Sequence, residues 1–175
     1  PLSFPNSIAH ASIFLADQKI SDFLKPDQVI SIGRTTLSRS INSFIASINE
    51  CIVIDPRIKN VDSLRDAKIL LSEIPDDISS KATNSELWNQ AASIAAKELE
   101  KLPWSEQQAI TSICEGITDG SAVFIGSSRP VRDVEAFVHP RSGIEVFANR
   151  GLAGIDGNIS TIFGIAEKFD STTAI

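Results

Sequence analysis

Residues 149–161 combine the residue types that bind a charged small molecule. The segment contains three glycines, one arginine (Arg150) and one aspartate (Asp156). Glycine lets the backbone adopt positive φ or approach a ligand closely, and Asp156 or Asn158 is expected to cap the helix that follows. The amides at the start of that helix could then face an anion. The pattern predicts a loop that lays its backbone against a charged ligand, and favours this over a plain connection between two domains.

Two strand-to-helix junctions, at residues 33–36 and 126–129, share a glycine, hydroxyl side chains and an arginine. Such a junction either cradles an anion or simply turns at the glycine and caps its helix with Ser or Thr. The turn-and-cap interpretation is favoured at Gly33. At Gly126 both interpretations stay open, because Arg129 and Arg132 add positive charge there.

No dinucleotide site, histidine-based catalytic site or metal site is expected from the sequence. Asp55 lies roughly 20 residues after the first turn, as a ribose-binding acid would. However, that turn lacks the second and third glycines of a dinucleotide-binding loop, so no FAD or NAD is expected. His10 and His139 have no catalytic partner at a recognisable spacing and are predicted at the surface. No metal-ligand pattern is present, and both cysteines are predicted to be buried packing residues.

The strands and helices that position these residues alternate along the chain. Apolar runs predict strands, and amphipathic spacing or capping signatures predict helices. The strands are expected at 29–32, 51–54, 68–71, 122–125 and 143–147, and the helices at 37–48, behind Thr83, behind Ser105, at Pro130 and after the glycine segment. This order indicates the α/β class with a doubly wound, mostly parallel sheet, in which ligands bind at the carboxyl ends of the strands.

The composition and net charge of the chain argue against several classes of function. The 175 residues carry a formal net charge of −6 at pH 7, which argues against a nucleic-acid or anionic-membrane partner. No apolar run approaches the roughly 20 residues of a membrane span, and the first residues have no signal-peptide pattern, so a cytoplasmic location is expected. Methionine is absent, even at position 1. We therefore expect a piece of a longer protein.

The motifs resemble those of the 2-succinyl-5-enolpyruvyl-6-hydroxy-3-cyclohexene-1-carboxylate synthases, thiamine-diphosphate enzymes of menaquinone biosynthesis. The matching stretches are 148–151, 154–157, 160–161, 164–166, 123–133 and, more weakly, 32–35. The resemblance implies a full-length enzyme of three domains. This chain would hold a linker (1–10), the Rossmann-like central domain (11–148) and the opening segment of the diphosphate-binding domain (149–175).

The resemblance also implies which reaction the full-length enzyme catalyses and which residues bind its substrates and cofactor. Members of the family are transferases that decarboxylate 2-oxoglutarate and add the succinyl carbanion equivalent to isochorismate, with thiamine diphosphate and Mg²⁺ as cofactors. Asn149 and Arg150 would bind substrate, Arg150 through a carboxylate. The residues expected to line the cofactor pocket are Gly154, Ile155, Asp156 and Gly157.

The catalytic glutamate and the magnesium ligands would lie outside this chain. The chain alone is therefore expected to contain no catalytic or metal-binding residue, to hold no cofactor and to have no turnover. The full-length enzyme would be a homodimer or homotetramer. Two alternatives stay open: the central domain of another thiamine-diphosphate enzyme, such as an acetolactate-synthase relative, and a non-catalytic α/β interaction domain.

Overall fold

The computed structural model describes residues 7–33, 37–57, 67–76, 85–149 and 155–175. Its contacts divide the chain into two compact units, Ala11–Ser93 and Pro1–His10 with Ile94–Ile175. The helices are α1 (Ala11–Phe14), α2 (Gln18–Phe23), α3 (Arg39–Ala46), α4 (Ser85–Leu99), α5 (Glu106–Glu115), α6 (Arg129–Phe137) and α7 (Asn158–Ala166). The strands are β1 (Gln28–Ile32), β2 (Glu50–Ile54), β3 (Ile69–Leu71), β4 (Ala122–Phe124), β5 (Glu145–Phe147) and β6 (Thr172–Ala174). All five predicted strands are present, whereas α1, α2 and β6 were not predicted.

The first unit contains a parallel sheet in the order β1-β2-β3. The central strand β2 places Cys51, Val53 and Ile54 in the core, as expected for a parallel strand that is covered on both faces. In the same unit, the ring of Trp88 packs edge-on against Phe14 and Phe44, with centroid distances of 5.8 and 5.6 Å. Aromatic pairs favour this T-shaped arrangement.

The first glycine junction follows the turn-and-cap interpretation in its described residues. Gly33 has φ +78°, and its N–H donates to the carbonyl of Ile54 at 2.9 Å. Ser38 caps α3 by accepting from the amide of Ile41. Residues 34–36, like Thr83 of the predicted capping box before α4, lie outside the described residues.

The second unit contains a parallel sheet in the order β5-β4-β6. Side chains of a strand alternate between faces, so Val123 packs with Cys114 and Val134 on one face. Phe124 packs with Ile165 of α7 in a separate cluster. Helices thus cover both faces of this sheet, which is the doubly wound arrangement.

The predicted α/β class with parallel strands is confirmed. The strands are divided between two three-stranded sheets, one in each unit, and within the described ranges the elements between β3 and β4 are the helices α4 and α5. Strands β5 and β6 lie on either side of the predicted boundary at residue 149 and both pair with β4. The predicted domain boundaries stay a prediction. Within the described ranges, no helix has the length and apolar character needed to cross a membrane.

Candidate functional site

Two predicted site segments meet at the carboxyl edge of the second sheet. Strand β4 leads into the junction at residues 126–129, and the neighbouring strand β5 leads into Asn149. The hydroxyl of Ser127 donates to the carbonyl oxygen of Asn149 at 3.3 Å. Because parallel strands end at the same edge, two segments joined by a hydrogen bond between residues 22 apart in sequence form one candidate site.

Gly126 permits a close approach at this edge. Its amide donates to the carbonyl oxygen of Ile175 at 2.7 Å. A Cβ at position 126 would lie 3.0 Å from that oxygen, which is tighter than an ordinary van der Waals contact. The glycine therefore lets the residue after β6 extend the sheet next to the candidate site.

Ser128 has an unusual backbone conformation. It occupies the N-cap position of α6 with φ 73° and ψ −115°, and its side chain makes no capping hydrogen bond. Of the two interpretations left open at this junction, the one in which a serine side chain caps the helix therefore does not hold for Ser128, whose hydroxyl accepts from Nη2 of Arg132 at 3.4 Å. Non-glycine residues in such conformations cluster at ligand-binding sites. Pro130 lies in the first turn of the helix, as predicted.

The two arginines of this junction have different partners. Arg129 forms ion pairs with Glu106 at 2.8 Å and with the buried Asp133 at 3.1 Å. Arg132 is exposed and donates from Nε to the carbonyl of Ser128 at 2.9 Å. Among the described residues, no carboxylate lies within ion-pair distance of Arg132. Arg132 is therefore the arginine of this pair that is available to an anion.

The side chain of Asn149 joins the start of the glycine segment to α7. Its Nδ2 lies 3.2 Å from Oδ1 of Asn158 and 3.1 Å from Oγ1 of Thr161. The Thr161 hydroxyl also lies 3.2 Å from Oδ1 of Asn149. All three side chains are half-buried, so these hydrogen bonds are partly shielded from water.

The start of α7 differs from the prediction. Its N-cap is Gly157, and no side chain caps it, so the expected cap by Asp156 or Asn158 is wrong. Asp156 precedes the N-cap position, and Asn158 is already the first helical residue, with its side-chain Oδ1 accepting from Nδ2 of Asn149. Ile155, Asp156 and Gly157 are exposed, whereas Arg150 and Gly154 lie outside the described residues.

Comparison with known proteins supports the family resemblance. No protein-family model matches the chain. The chain is 30% identical over 87% of its length to a 2-succinyl-5-enolpyruvyl-6-hydroxy-3-cyclohexene-1-carboxylate synthase of Synechococcus sp. (strain JA-3-3Ab), of which it covers 28%. It is also 30% identical over 98% of its length to the synthase of Trichormus variabilis, covering 32%, and 28% identical over 93% to that of Corynebacterium jeikeium, covering 29%. These matches support a fragment of this synthase family.

The match covers nearly all of this chain but only part of each relative. The chain spans about a third of the length of the curated synthases that it matches. The matched part includes the edge of the second sheet where residues 126–129 meet Asn149. The family resemblance noted in the motifs is thereby confirmed, whereas the individual site residues remain predictions.

His10 is a residue that the sequence analysis placed wrongly. It is 2% exposed because its Nδ1–H donates to the carbonyl of Ala136 at 2.8 Å and its ring packs edge-on against His139. Burial lowers the pKa of His10 below its ordinary value. His139 is exposed and the two cysteines are buried, as predicted. No local pattern signals the long-range contact from His10 to Ala136.

Two features of the candidate site were also missed. Thr161 was not predicted to take part in the site. It lies three residues after Asn158, so the two side chains share one face of the helix. The positive φ of Ser128 has no signal in the sequence, because glycine is the residue that normally marks such a conformation.

Proposed function

We propose that this chain is part of a thiamine-diphosphate-dependent transferase of menaquinone biosynthesis. The reaction would decarboxylate 2-oxoglutarate and join the remaining four-carbon unit to isochorismate. The similarity of nearly the whole chain to these synthases supports this proposal. The structural observation that carries it is the junction after β4, where the exposed Arg132 binds Ser128 and where the neighbouring Ser127 hydroxyl donates to the carbonyl oxygen of Asn149.

Both proposed substrates carry carboxylates, and a guanidinium is the side chain best suited to bind them. Arg132 meets this requirement because its guanidinium is exposed and contacts only Ser128 among the described residues. Arg150, which directly follows Asn149 in the sequence, would supply a second positive charge. We propose that these two arginines hold substrate carboxylates, while Arg129 stays engaged with Glu106 and Asp133.

The described residues fit one end of the cofactor. The N-terminus of α7 has no side-chain cap, and although the Asn158 amide donates to the carbonyl of Ile155 at 3.1 Å, the other amides of the first turn could face a polar or anionic group. Ile155 offers an exposed apolar surface beside it, and the carboxylate of Asp156 suits a cationic ring. Gly154, Ile155, Asp156 and Gly157 would line the pocket. When bound, the cofactor supplies the electron sink for decarboxylation.

We further propose that the remaining parts of the site lie outside this chain. These parts are the catalytic acid, the Mg²⁺ ligands and the rest of the cofactor-binding domain. On this proposal the chain alone has no turnover, and the complete enzyme is a cytoplasmic homodimer or homotetramer. FAD and NAD have no role in it, since the turn at Gly33 lacks the further glycines that a dinucleotide requires.

The decisive experiment uses the full-length parent protein with thiamine diphosphate and Mg²⁺. Isochorismate consumption is followed with and without 2-oxoglutarate and with and without the cofactor. Consumption that requires both supports the proposal, and Arg150→Ala should then raise the KM of a carboxylate substrate. Cofactor binding without isochorismate consumption would favour a related carboligase, such as an acetolactate-synthase relative. A folded protein that binds no cofactor would favour a non-catalytic domain.

A further inference from the structure

The second unit contains a cavity of about 270 Å³ among the end of α4, α5 and the end of α6. Gln108, Thr111 and Glu115 form one wall, since their spacing places them on one face of α5. Leu99 at the end of α4 and Phe137 at the end of α6 add apolar surface. The Gln108 carboxamide donates to the carbonyl of Leu99 at 2.9 Å, which ties α5 to the end of α4. The cavity is therefore part of the folded unit, and its volume suits a ligand smaller than a drug-sized molecule, for which pockets begin at about 300 Å³.

The buried His10 is also part of the cavity wall. Its Nδ1 lies 2.8 Å from the carbonyl oxygen of Ala136. Because a carbonyl oxygen only accepts, Nδ1 carries the proton, and Nε2 of the neutral ring keeps a lone pair. Burial lowers the pKa of His10, so the ring is neutral at pH 7. The Nε2 atom is buried and has no hydrogen-bond partner among the described residues. The wall thus contains an acceptor without a donor, which costs free energy until a donor reaches it.

The charged side chains along the cavity are acidic. Glu100 directly follows α4 and Glu115 ends α5, and both line the cavity. No lysine or arginine is among the described residues that line it. The other titratable group of the wall is His139, whose ring packs edge-on against that of His10 at a centroid distance of 4.6 Å. Two carboxylates and an unprotonated imidazole nitrogen all accept hydrogen bonds, so the complementary ligand carries positive charge and N–H donors.

An organic cation fits this cavity better than a metal ion. In the parts of the chain that the structure describes, no group of three or more His, Cys, Asp or Glu side chains is placed to hold a metal. The apolar surface of Leu99 and Phe137 favours a hydrocarbon chain over a hydrated ion. We propose that the cavity binds a small organic amine in its ammonium form, with the carboxylates of Glu100 and Glu115 near the charge and Nε2 of His10 accepting an N–H.

This amine site is separate from the candidate site at the edge of the second sheet. Phe137 is the last residue of α6 and His139 lies just beyond it, whereas Ser128 and Arg132 lie at the start of that helix. The proposal goes beyond the proposed function. Its test needs neither thiamine diphosphate nor a substrate, so it stands or fails independently of that function.

The test uses the full-length protein and measures by calorimetry the Kd of 1,4-diaminobutane, which is doubly protonated at pH 7.5. The uncharged comparison ligand is 1,4-butanediol, which has the same carbon chain and hydroxyl donors in place of the ammonium groups. We expect the diamine to bind at least tenfold more tightly than the diol, because the diol gains no attraction from the carboxylates. Low ionic strength keeps that attraction unscreened.

Three variants remove the proposed acceptors one at a time. His10→Asn keeps a donor for the carbonyl of Ala136, but the asparagine side chain is too short to place an acceptor at Nε2. Glu100→Gln and Glu115→Gln remove a charge at nearly constant shape. Each change should weaken diamine binding about fivefold, which corresponds to about 1 kcal/mol. Because Glu100 and Glu115 are exposed, their variants test the proposal even where His10→Asn does not fold.

Glu98→Gln is the matched control, since Glu98 lies on α4 outside the cavity and pairs with Lys101 at 2.6 Å. Support requires a preference for the diamine that weakens in the glutamate variants of the cavity and changes less than twofold in Glu98→Gln. Equal binding of the diol, or an equal loss in Glu98→Gln, would overturn the proposal, because the amine would then respond only to the overall charge. No binding at millimolar diamine, or Zn²⁺ alone binding and displacing the diamine, would overturn it as well.

Discussion

The Cα of Gly143 faces the carboxylate of Asp119 so closely that a Cβ at position 143 would lie 2.7 Å from the carboxylate carbon. Arg141 fixes that carboxylate, with Nη2 donating to Asp119 Oδ1 at 2.6 Å and Nη1 donating to the carbonyl of Ile117 at 2.7 Å. The turn before β5 is thus locked against the turn before β4, which sets how these two strands enter the second sheet.

A pair of glycine substitutions should separate backbone strain from steric clash. Gly143 and Gly120 have nearly equal φ values, +84° and +83°, but a Cβ at Gly120 would meet nothing within 4 Å. Gly120→Ala should therefore cost only the left-handed strain, about 1–2 kcal/mol. Gly143→Ala should cost about 1 kcal/mol more, because it must also displace Asp119 from Arg141. Urea unfolding measures both free energies, and equal losses would mean that the carboxylate moves aside freely.

The buried His10 should make stability depend on pH. Its pKa is lowered, first by burial and, more weakly, by His139, although the carboxylates of Glu100 and Glu115 line the same cavity. The unfolded chain therefore takes up a proton more readily than the folded one. The contribution of neutral His10 to the free energy of unfolding is complete above about pH 6.5. It decreases as the pH falls towards the folded-state pKa, by at most about 1.4 kcal/mol per pH unit.

Asparagine is the informative replacement for His10. Its amide can replace the Nδ1–H donor to Ala136, and asparagine tolerates the φ of 58° found at this position. In unfolding measurements at pH 7.5 and 5.5, His10→Asn should lose the pH dependence assigned to this site. His139 is exposed, so the control variant His139→Asn should retain most of the pH dependence of the unfolding free energy. An unchanged slope in His10→Asn would show that other groups cause it.

The parts of the fold that follow from local patterns could be predicted, and those that depend on distant contacts could not. Ser105 caps α5 by accepting from the amide of Gln108, as its spacing predicts. Strand β6 was missed because its Thr-Thr-Ala sequence becomes a strand only by pairing with β4. Likewise, Asn158 was expected to cap α7 from its residue type, but the competing partner Asn149 lies nine residues away.

The strain at Ser128 should be relieved by glycine at the expense of function. Glycine adopts φ near +73° without steric cost, so Ser128→Gly should stabilise the protein by up to about 1 kcal/mol. The change also removes the hydroxyl beside Arg132, so we expect a lower kcat/KM for a carboxylate substrate. Ser128→Ala separates the two effects, because it removes the hydroxyl and keeps the strain. If Ser128→Gly proves no more stable than Ser128→Ala, the backbone there is not strained.

The two arginines of the α6 junction should respond differently to the same substitution. Arg132→Ala should raise the KM of a carboxylate substrate about 10- to 100-fold, as expected for a lost charge-assisted hydrogen bond of about 1.5–3 kcal/mol. Arg129→Ala removes the same charge from the same helix, but that guanidinium is engaged by Glu106 and Asp133. It should therefore lower the unfolding free energy by about 1 kcal/mol and leave KM within about twofold. Steady-state kinetics of both variants in the full-length protein decide the matter. If both variants raise KM alike, the junction attracts substrate only through its net charge, and Arg132 has no specific contact with it.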